Sequence, residues 1–281
     1  MNCFVTGASG YVGSRVCRRL QEDSHEVVLL QRSPNATDTK GSVIPFQLGN
    51  KIDRGFFKGA DALIHCAWDM RATGWDQIHK TNVSGSIHLF EAAASESVRK
   101  LIFISSISAF EGCPSIYGQA KLEVEKEVFK LGGVVIRPGL VYGDSPGGIA
   151  GTLSRVAARF PVIPIVGRRK LMYLCHEEDL TRLIAMLVDM KERQWLQPIT
   201  CANPEPITFG EIVKRFARAK GREVTLVPVL WKLVWAMLRS LETLGLPTGF
   251  KSDSLVGLMN PNPNPDFQTH QELDLEFRPL P

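Results

Sequence analysis

The sequence predicts a doubly wound parallel α/β sheet followed by a smaller lobe. Three observations carry this. The apolar run Asn2-Cys3-Phe4-Val5-Thr6 leads into the Gly-rich turn Gly7-Ala8-Ser9-Gly10-Tyr11-Val12-Gly13, and Val12, Val16, Cys17 and Leu20 then recur at helical spacing. Strand and helix patterns alternate through the first half, as βαβ units require. Interior runs such as Leu101-Ile102-Phe103-Ile104 are apolar throughout, which suits strands covered on both faces.

The elements follow in order. Strands are expected at 2–6, 26–31, 43–47, 61–66, 101–105 and 133–137, with helices at 11–22, 76–97 and 117–130 between them. A Gly-rich turn between strand and helix lets backbone approach a pyrophosphate and offers it the free N–H groups of the helix N-terminus. Gly7, Ser9, Gly10, Tyr11, Val12 and Gly13 are therefore candidate cofactor contacts. Ligands of such sheets bind beyond the carboxyl ends of the strands. Ala67, Ser105, Ser106, Pro138 and Gly139 all stand just past strand ends. After about residue 140 the pattern loosens, and helices are expected near 147–159, 178–190, 208–219 and 229–244. Residues 1–140 read as a Rossmann-type dinucleotide-binding domain, and residues 141–281 as a smaller, partly discontinuous substrate lobe. The apolar stretch from Leu230 to Leu246 reads as a helix packed on that lobe, with a membrane-surface or dimer contact as the alternative. The run Asn260-Pro261-Asn262-Pro263-Asn264-Pro265 reads as an extended loop.

The 281 residues, 44% hydrophobic and 22% charged, suit a globular chain with a large core. A net charge of +4 without a long basic run gives no reason to expect nucleic acid. No apolar run is long enough to span a bilayer. The N-terminus runs straight into the first strand, without the pattern of a secretory signal. The six cysteines lack metal spacing and read as free thiols in a reducing, cytoplasmic setting. No metal site is expected.

Tyr117 and Lys121 stand four residues apart, on one face of a predicted helix. A free phenol, with a pKa near ~10, is a poor base at neutral pH. A neighbouring ammonium lowers that value and yields a usable proton-transfer group. The pair gains meaning from its setting, behind a strand that ends in serine and within a dinucleotide-binding pattern.

Taken in order, these residues resemble the extended short-chain dehydrogenase/reductase family, the NAD(P)-dependent epimerase/dehydratase group. The resemblance runs from residue 2 to about residue 180. Thr6 to Gly13 resembles the family's cofactor fingerprint, His65-Cys66-Ala67-Trp68 its strand-four motif, and Thr81-Asn82-Val83-Ser84-Gly85 its Asn-Val-x-Gly helix. Ile104-Ser105-Ser106-Ile107-Ser108-Ala109-Phe110 resembles the catalytic serine segment, and Tyr117 with Lys121 the active-site pair. Arg137-Pro138-Gly139-Leu140-Val141-Tyr142-Gly143 and His176-Glu177-Glu178-Asp179-Leu180 resemble two later landmarks. The resemblance implies an enzyme in which Tyr117 is the acid/base. Lys121 lowers the tyrosine's pKa and holds the nicotinamide ribose. Ser106 donates to the reacting oxygen; without Tyr117 it reads first as a strand-end serine capping its own turn. Cys66, Ala67, Asn82, Ser105, Tyr117, Lys121, Pro138, Gly139 and Val141 join the cofactor contacts on this basis, and a homodimer built on the helices at 76–97 and 117–130 is a family expectation. His176 and Asp179 read as structural.

Cofactor choice turns on the end of the second strand, where an acidic residue selects NAD. Gln31 and Arg32 stand there instead, and a guanidinium suits a 2′-phosphate. NADP is preferred over NAD on this ground, with adenine stacking as the other role for Arg32. Ile107 and Ser108 follow Ser106 where the family's dehydratases carry Asp-Glu, which disfavours dehydration. Met172 stands where the family has a pyrophosphate-binding Arg; Arg168, Arg169 and Lys170 lie upstream, as substitutes or as a solvated turn. The expected reaction is 4-epimerisation or 4-keto reduction of a nucleotide-activated sugar. The alternatives are an NADP-dependent reductase of a non-nucleotide, sterol-like or flavonol-like ketone, and a non-enzymatic cofactor-binding scaffold or sensor.

Overall fold

In the computed structural model, which describes residues 1–33, 41–72, 74–144, 147–191, 193–246 and 249–281, every strand expected from the sequence forms within a residue or two of its predicted bounds. The first half contains β1 (Asn2–Thr6), α1 (Tyr11–Glu22), β2 (Glu26–Gln31), β3 (Ser42–Pro45), β4 (Ala62–His65), α2 (Trp75–Ile78), α3 (Ser84–Ser95), β5 (Lys100–Ile104), α4 (Ile116–Lys130) and β6 (Val134–Pro138). The helix expected over 76–97 is broken by a π-helical stretch, His79–Val83, which separates α2 from α3 and buries Asn82 and Val83.

The second half contributes β7 (Leu140–Tyr142), α5 (Gly148–Arg159), β8 (Val162–Ile165), β9 (Leu171–Met172), β10 (Leu174–His176), α6 (Glu177–Asp189), β11 (Ile199–Cys201), β12 (Ile207–Thr208), α7 (Phe209–Arg218), β13 (Thr225–Pro228), α8 (Trp231–Thr243), α9 (Ser252–Met259) and α10 (Gln268–Glu272). The short strands pair two by two: β7 with β10, β9 with β12, and β8 with β13. Residues 260–265 form neither helix nor strand.

The main sheet has the order β11-β6-β5-β4-β1-β2-β3 with every neighbour parallel. Strand order reverses between β1 and β4, where Thr6 stands in register with His65. In an open α/β sheet this switch point is where a ligand crevice opens. Alternate residues of β1 face opposite cores, Cys3 and Val5 toward α1 and α6, Phe4 toward α3 and α4. A third core, around Ile163, Leu174, Phe209, Ile212 and Phe216, belongs to the second lobe.

Two features differ from the sequence reading. The seventh strand, β11, and the helix α6 packed on α1 come from residues expected in the second lobe. β11 pairs with the edge of β6 and α6 packs on α1, so the Rossmann-type layer extends beyond residue 140. The helix over Trp231–Thr243 is formed and packs on α9 of the lobe, but Leu238 is its sole buried residue, so it is far less covered than an apolar helix in a core.

Candidate active site

The cofactor end of the sheet is shaped by two glycines. Gly7 adopts φ +67, and a Cβ there would lie 2.9 Å from the Ala67 backbone; a Cβ on Gly13 would lie 2.2 Å from the Gly7 carbonyl oxygen. These contacts force β1 and α1 into a tight turn against the β4 loop. Gly10 is the N-cap of α1 and no side chain caps the helix. An uncapped helix N-terminus beside a glycine turn fits a dinucleotide pyrophosphate. Ser9 and Gly10 are exposed there, Tyr11 and Val12 half-buried. The Tyr11 ring lies under Arg15, with the guanidinium carbon 4.1 Å from its centroid, and burial pushes its phenol up, with the Glu177 carboxylate adding to the shift. Tyr11 thus faces the second lobe as well as the turn.

Thr6 locks the crevice. Its hydroxyl oxygen accepts from the backbone N–H groups of Cys66 and Ala67, both at 3.1 Å. It also bonds His65 Nδ1 at 2.6 Å, while His65 Nε2 meets Ser86 Oγ at 2.8 Å. Burial, helped by the Lys121 charge, draws His65 down to about 3, so it is a neutral structural link. Asn82 shapes the loop after β4: its Oδ1 accepts from Asp69 N at 2.7 Å and its Nδ2 donates to Asp69 O at 3.2 Å. Gln31 is buried at the end of β2 and Arg32 is exposed beside it. The hydrogen bond from Arg71, with a smaller contribution from the Arg32 charge, holds the Asp69 carboxyl below its usual range. Arg32 therefore faces the same loop that borders the crevice.

Ser106, Tyr117 and Lys121 come together beyond β5. Ser106 Oγ accepts from Ser108 N at 3.1 Å, so the serine does cap its own turn. Burial pushes the Tyr117 phenol up to about 12, against a smaller opposing pull from the Ser106 hydroxyl. Lys121 is buried and donates from Nζ to the Ile104 carbonyl at 2.8 Å. Burial draws its ammonium down to about 7, against the opposing pull of Cys66 and Glu125. In this arrangement burial, not the lysine, sets the state of the Tyr117 phenol. The Lys121 nitrogen is turned to the Ile104 carbonyl, and desolvation outweighs any help to the phenolate.

The sequence reading left out three neighbours. Trp68 meets the Tyr117 ring edge-on, with centroids 5.7 Å apart, and its own face lies 3.9 Å from Lys121 Nζ. Its place in the strand-four motif was visible, but nothing in the pattern joins it to a tyrosine 49 positions on. Glu125 lies one turn beyond Lys121 and two beyond Tyr117, a spacing that signalled a shared face. It is buried, pairs with Arg137 through bonds of 2.9 and 2.5 Å, and accepts from the Ser105 hydroxyl. The Ser105 side chain is thus directed behind the site. Asp253 on α9 accepts from the backbone N–H groups of Ile116 and Tyr117.

The remaining predicted residues frame the second lobe. Pro138 O accepts from Ile107 N at 2.9 Å, Gly139 packs against the Tyr173 backbone, and Val141 is half-buried in β7. His176 caps α6, and Asp179 accepts from Arg278 N at 3.0 Å and Nε at 3.1 Å, tying the C-terminal segment to the core. Met172 lies in β9, paired with Ile207, while Arg168 and Arg169 are exposed on the preceding turn. A cavity of about 490 Å³ bordered by Lys100, Val134, Met190 and Trp195 opens at the other end of the sheet, where β5 and β6 begin, and takes no part in this site. Among the described residues no cluster of His, Cys, Asp or Glu could hold a metal ion.

Residues 3–196 match the model of the NAD dependent epimerase/dehydratase family, and the chain belongs to that family of enzymes. It is 31% identical over 232 residues to the ceramide reductase of Caulobacter vibrioides, covering 79% of this chain and 72% of the relative. It is 24% identical over 264 residues to the UDP-glucose 4-epimerase of Vibrio cholerae, covering 81% and 79%. Among solved structures, MoeE5 in complex with UDP-glucuronic acid and NAD superposes with a TM-score of 0.71 at 22% identity, covering 82% of this chain and 85% of that one. This last likeness is one of fold.

Proposed function

We propose that this enzyme is an NAD(P)-dependent reductase of a ketone carried on a lipid-like, non-nucleotide molecule. The observation that carries the reading is the aromatic wall at Tyr117: the Trp68 indole stands edge-on to the phenol at 5.7 Å. A substrate oxygen reaching Tyr117 passes an apolar surface there. Met172, in place of a pyrophosphate-binding arginine, supports the same reading, as does the likeness to a ceramide reductase.

When bound, the cofactor would supply the hydride for the carbonyl carbon. Tyr117 delivers the proton to the oxygen and is reprotonated from solvent. A phenol kept protonated by burial is suited to that direction, because it arrives as a proton donor. Ser106 donates to the same oxygen as negative charge develops on it. The dinucleotide would lie across Gly7, Gly10 and the N-terminus of α1, with Ala67 and Asn82 at the crevice wall. Arg32 favours NADP, since Gln31 and Arg32, the described residues at the end of β2, include no acidic side chain to hold a ribose 2′-hydroxyl. A homodimer through α3 and α4 and a reducing compartment suited to six unpaired thiols complete the reading.

A second reading, 4-epimerisation or 4-keto reduction of a nucleotide sugar, is favoured by the likeness to the UDP-glucose 4-epimerase and by the exposed Arg168 and Arg169, which could meet a diphosphate. The two readings separate in one assay. Purified enzyme with NADPH is offered a ceramide-like long-chain ketone in detergent and, separately, UDP-glucose. Consumption of NADPH with the ketone and no UDP-galactose formation is expected. Interconversion of the UDP-sugars with cofactor retained from purification would replace this reading by the second.

A further inference from the structure

We propose that α8 docks this enzyme on the surface of an anionic lipid bilayer. Leu230, Leu233, Met237 and Leu244 follow one another at steps of three, four and seven, which places them on one face in and around α8. That face is turned to solvent: Leu230 is 73% exposed, Leu233 68%, Met237 56% and Leu244 73%. The opposite face carries the buried Leu238 and the inward-turned Glu242. The strand leading into the helix adds Val227, also exposed, in register with Pro164.

The surroundings of the stripe are cationic. Lys232 stands on α8 itself, while Arg239, two turns on, lies 4.0 Å from the Glu242 carboxylate. Arg168, Arg169 and Lys170 line a depression of about 500 Å³ together with Pro228, three residues before α8 begins. Residues 209–251 hold eight Lys and Arg against three Glu and no Asp, a net +5 in a chain whose total is +4. Five of those cations, Lys214 to Arg222, lie on and just after α7, where Arg215 and Arg218 pair with Glu211; Lys232 on α8 and the 168–170 turn beside Pro228 are the cations at the stripe. An amphipathic helix of this kind lies in the interface plane, its apolar face among the acyl chains and its cations at anionic headgroups. A second copy is a poorer occupant, because a two-fold contact along the stripe would bring the Lys232 flanks together as like charges. No helix among the described residues is long and apolar enough to cross a membrane, so the contact is with the surface alone.

The helix is also wired to the chemistry. Glu242 accepts from Ser252 N at 2.7 Å and Ser252 Oγ at 2.6 Å, and the next residue, Asp253, accepts from the backbone of Tyr117. Docking of α8 would bring the first turn of α4 toward the bilayer through one short helix. The inference does not depend on the substrate proposed above, since lipid binding is read without substrate.

The full chain is cosedimented with vesicles of phosphatidylcholine alone and of phosphatidylcholine with phosphatidylglycerol. Binding is expected with the anionic vesicles, weaker with the neutral ones, and falling as salt is raised. The double variant Leu233→Glu, Met237→Glu should lower the bound fraction at least ~10-fold while its unfolding midpoint and cofactor affinity stay at wild-type values. Lys232→Glu with Arg169→Glu should remove the preference for phosphatidylglycerol. Wild-type protein that ignores both vesicles overturns the proposal, as does a Leu233→Glu, Met237→Glu variant that still binds them. A dimer that this variant splits, without vesicle binding, assigns the stripe to self-association instead. Vesicle binding by an enzyme inactive on lipid ketones would leave this inference standing and remove only the substrate reading.

Discussion

Asp253 and Tyr117 are joined across 136 positions of sequence: the aspartate accepts from the Tyr117 backbone N–H at 3.0 Å and from its neighbour Ile116 at 2.8 Å. With Ser115 accepting from Gly118 N, these bonds satisfy the first turn of α4. The carboxylate also lies at the positive end of the helix dipole. A C-terminal element thus sets the entry angle of the helix that presents the phenol. Asp253→Ala should lower stability by ~1–2 kcal/mol, the usual scale for a lost cap. It should also lower kcat with a smaller change in cofactor affinity, because the glycine turn and the N-terminus of α1, which would hold the pyrophosphate, lie on other elements. Asp253→Asn, which keeps one acceptor oxygen, should recover part of both losses. Thermal unfolding and a cofactor titration beside steady-state kinetics separate the two effects.

Tyr117→Phe keeps the aromatic contact with Trp68 and removes only the hydroxyl. If the phenol transfers the proton, kcat should fall by ~10²–10⁴-fold. Cofactor affinity, followed by fluorescence titration, should be nearly unchanged. Turnover at the wild-type rate would remove Tyr117 from the chemistry.

Much of this molecule is legible in its sequence, for identifiable reasons. The six strands of the first half are short runs punctuated by turn residues, and the central ones, β1, β4 and β5, are apolar because both faces are buried. Gly7 and Gly13 announce the crevice because contacts of 2.9 and 2.2 Å leave no room for a side chain. Tyr117 and Lys121 are readable as a helical pair. What the pattern hides is long-range. Trp68 and Asp253 reach Tyr117 through tertiary contacts with no local spacing. β11 is a three-residue strand whose place depends on the free edge of β6. The apolar content of α8 is obvious, but its exposure is not, since an apolar stripe reads the same whether it meets a core or solvent.

Lys121 gives the apoenzyme a pH signature. Its ammonium titrates at about 7 in the native state, below the ~10.4 of an unfolded lysine. Between those values the unfolded chain binds more protons, so stability contributed by this group rises with pH. Below about 7 both states are protonated and the burial cost is fully present. Lys121→Met should therefore be more stable than wild type at pH 6, with the difference shrinking toward pH 9.5. Tyr117, pushed up to about 12, opposes the trend only above its ordinary range near ~10. Unfolding midpoints of the two proteins across pH 6–9.5 check this, and a constant difference would refute it.

Arg32 should discriminate between cofactors. It is exposed at the end of β2, beside the loop that holds Asp69. A guanidinium on a 2′-phosphate makes charge-assisted bonds of ~1.5–3 kcal/mol. Arg32→Ser should then weaken NADPH by ~10–100-fold while leaving NADH within a factor of a few. Equal losses for both cofactors would assign Arg32 to adenine stacking. Paired fluorescence titrations decide between these outcomes.

Glu125 carries the last prediction. Its carboxylate sits behind the site, held by Arg137 at 2.9 and 2.5 Å and by the Ser105 hydroxyl, and its charge supports the Lys121 ammonium against burial. Glu125→Gln leaves Arg137, largely buried, without its counter-ion. Breaking one partner of a buried pair costs ~3–5 kcal/mol, because the survivor's charge stays desolvated. The same change removes a negative neighbour from Lys121, so the lysine should titrate lower still. Removing both charges at once, in Glu125→Gln with Arg137→Met, should recover most of the stability but not the Lys121 titration. Unfolding in urea reads the first effect, and the pH dependence of the unfolding midpoint reads the second. If the double variant were as unstable as the single one, packing rather than charge would explain the network.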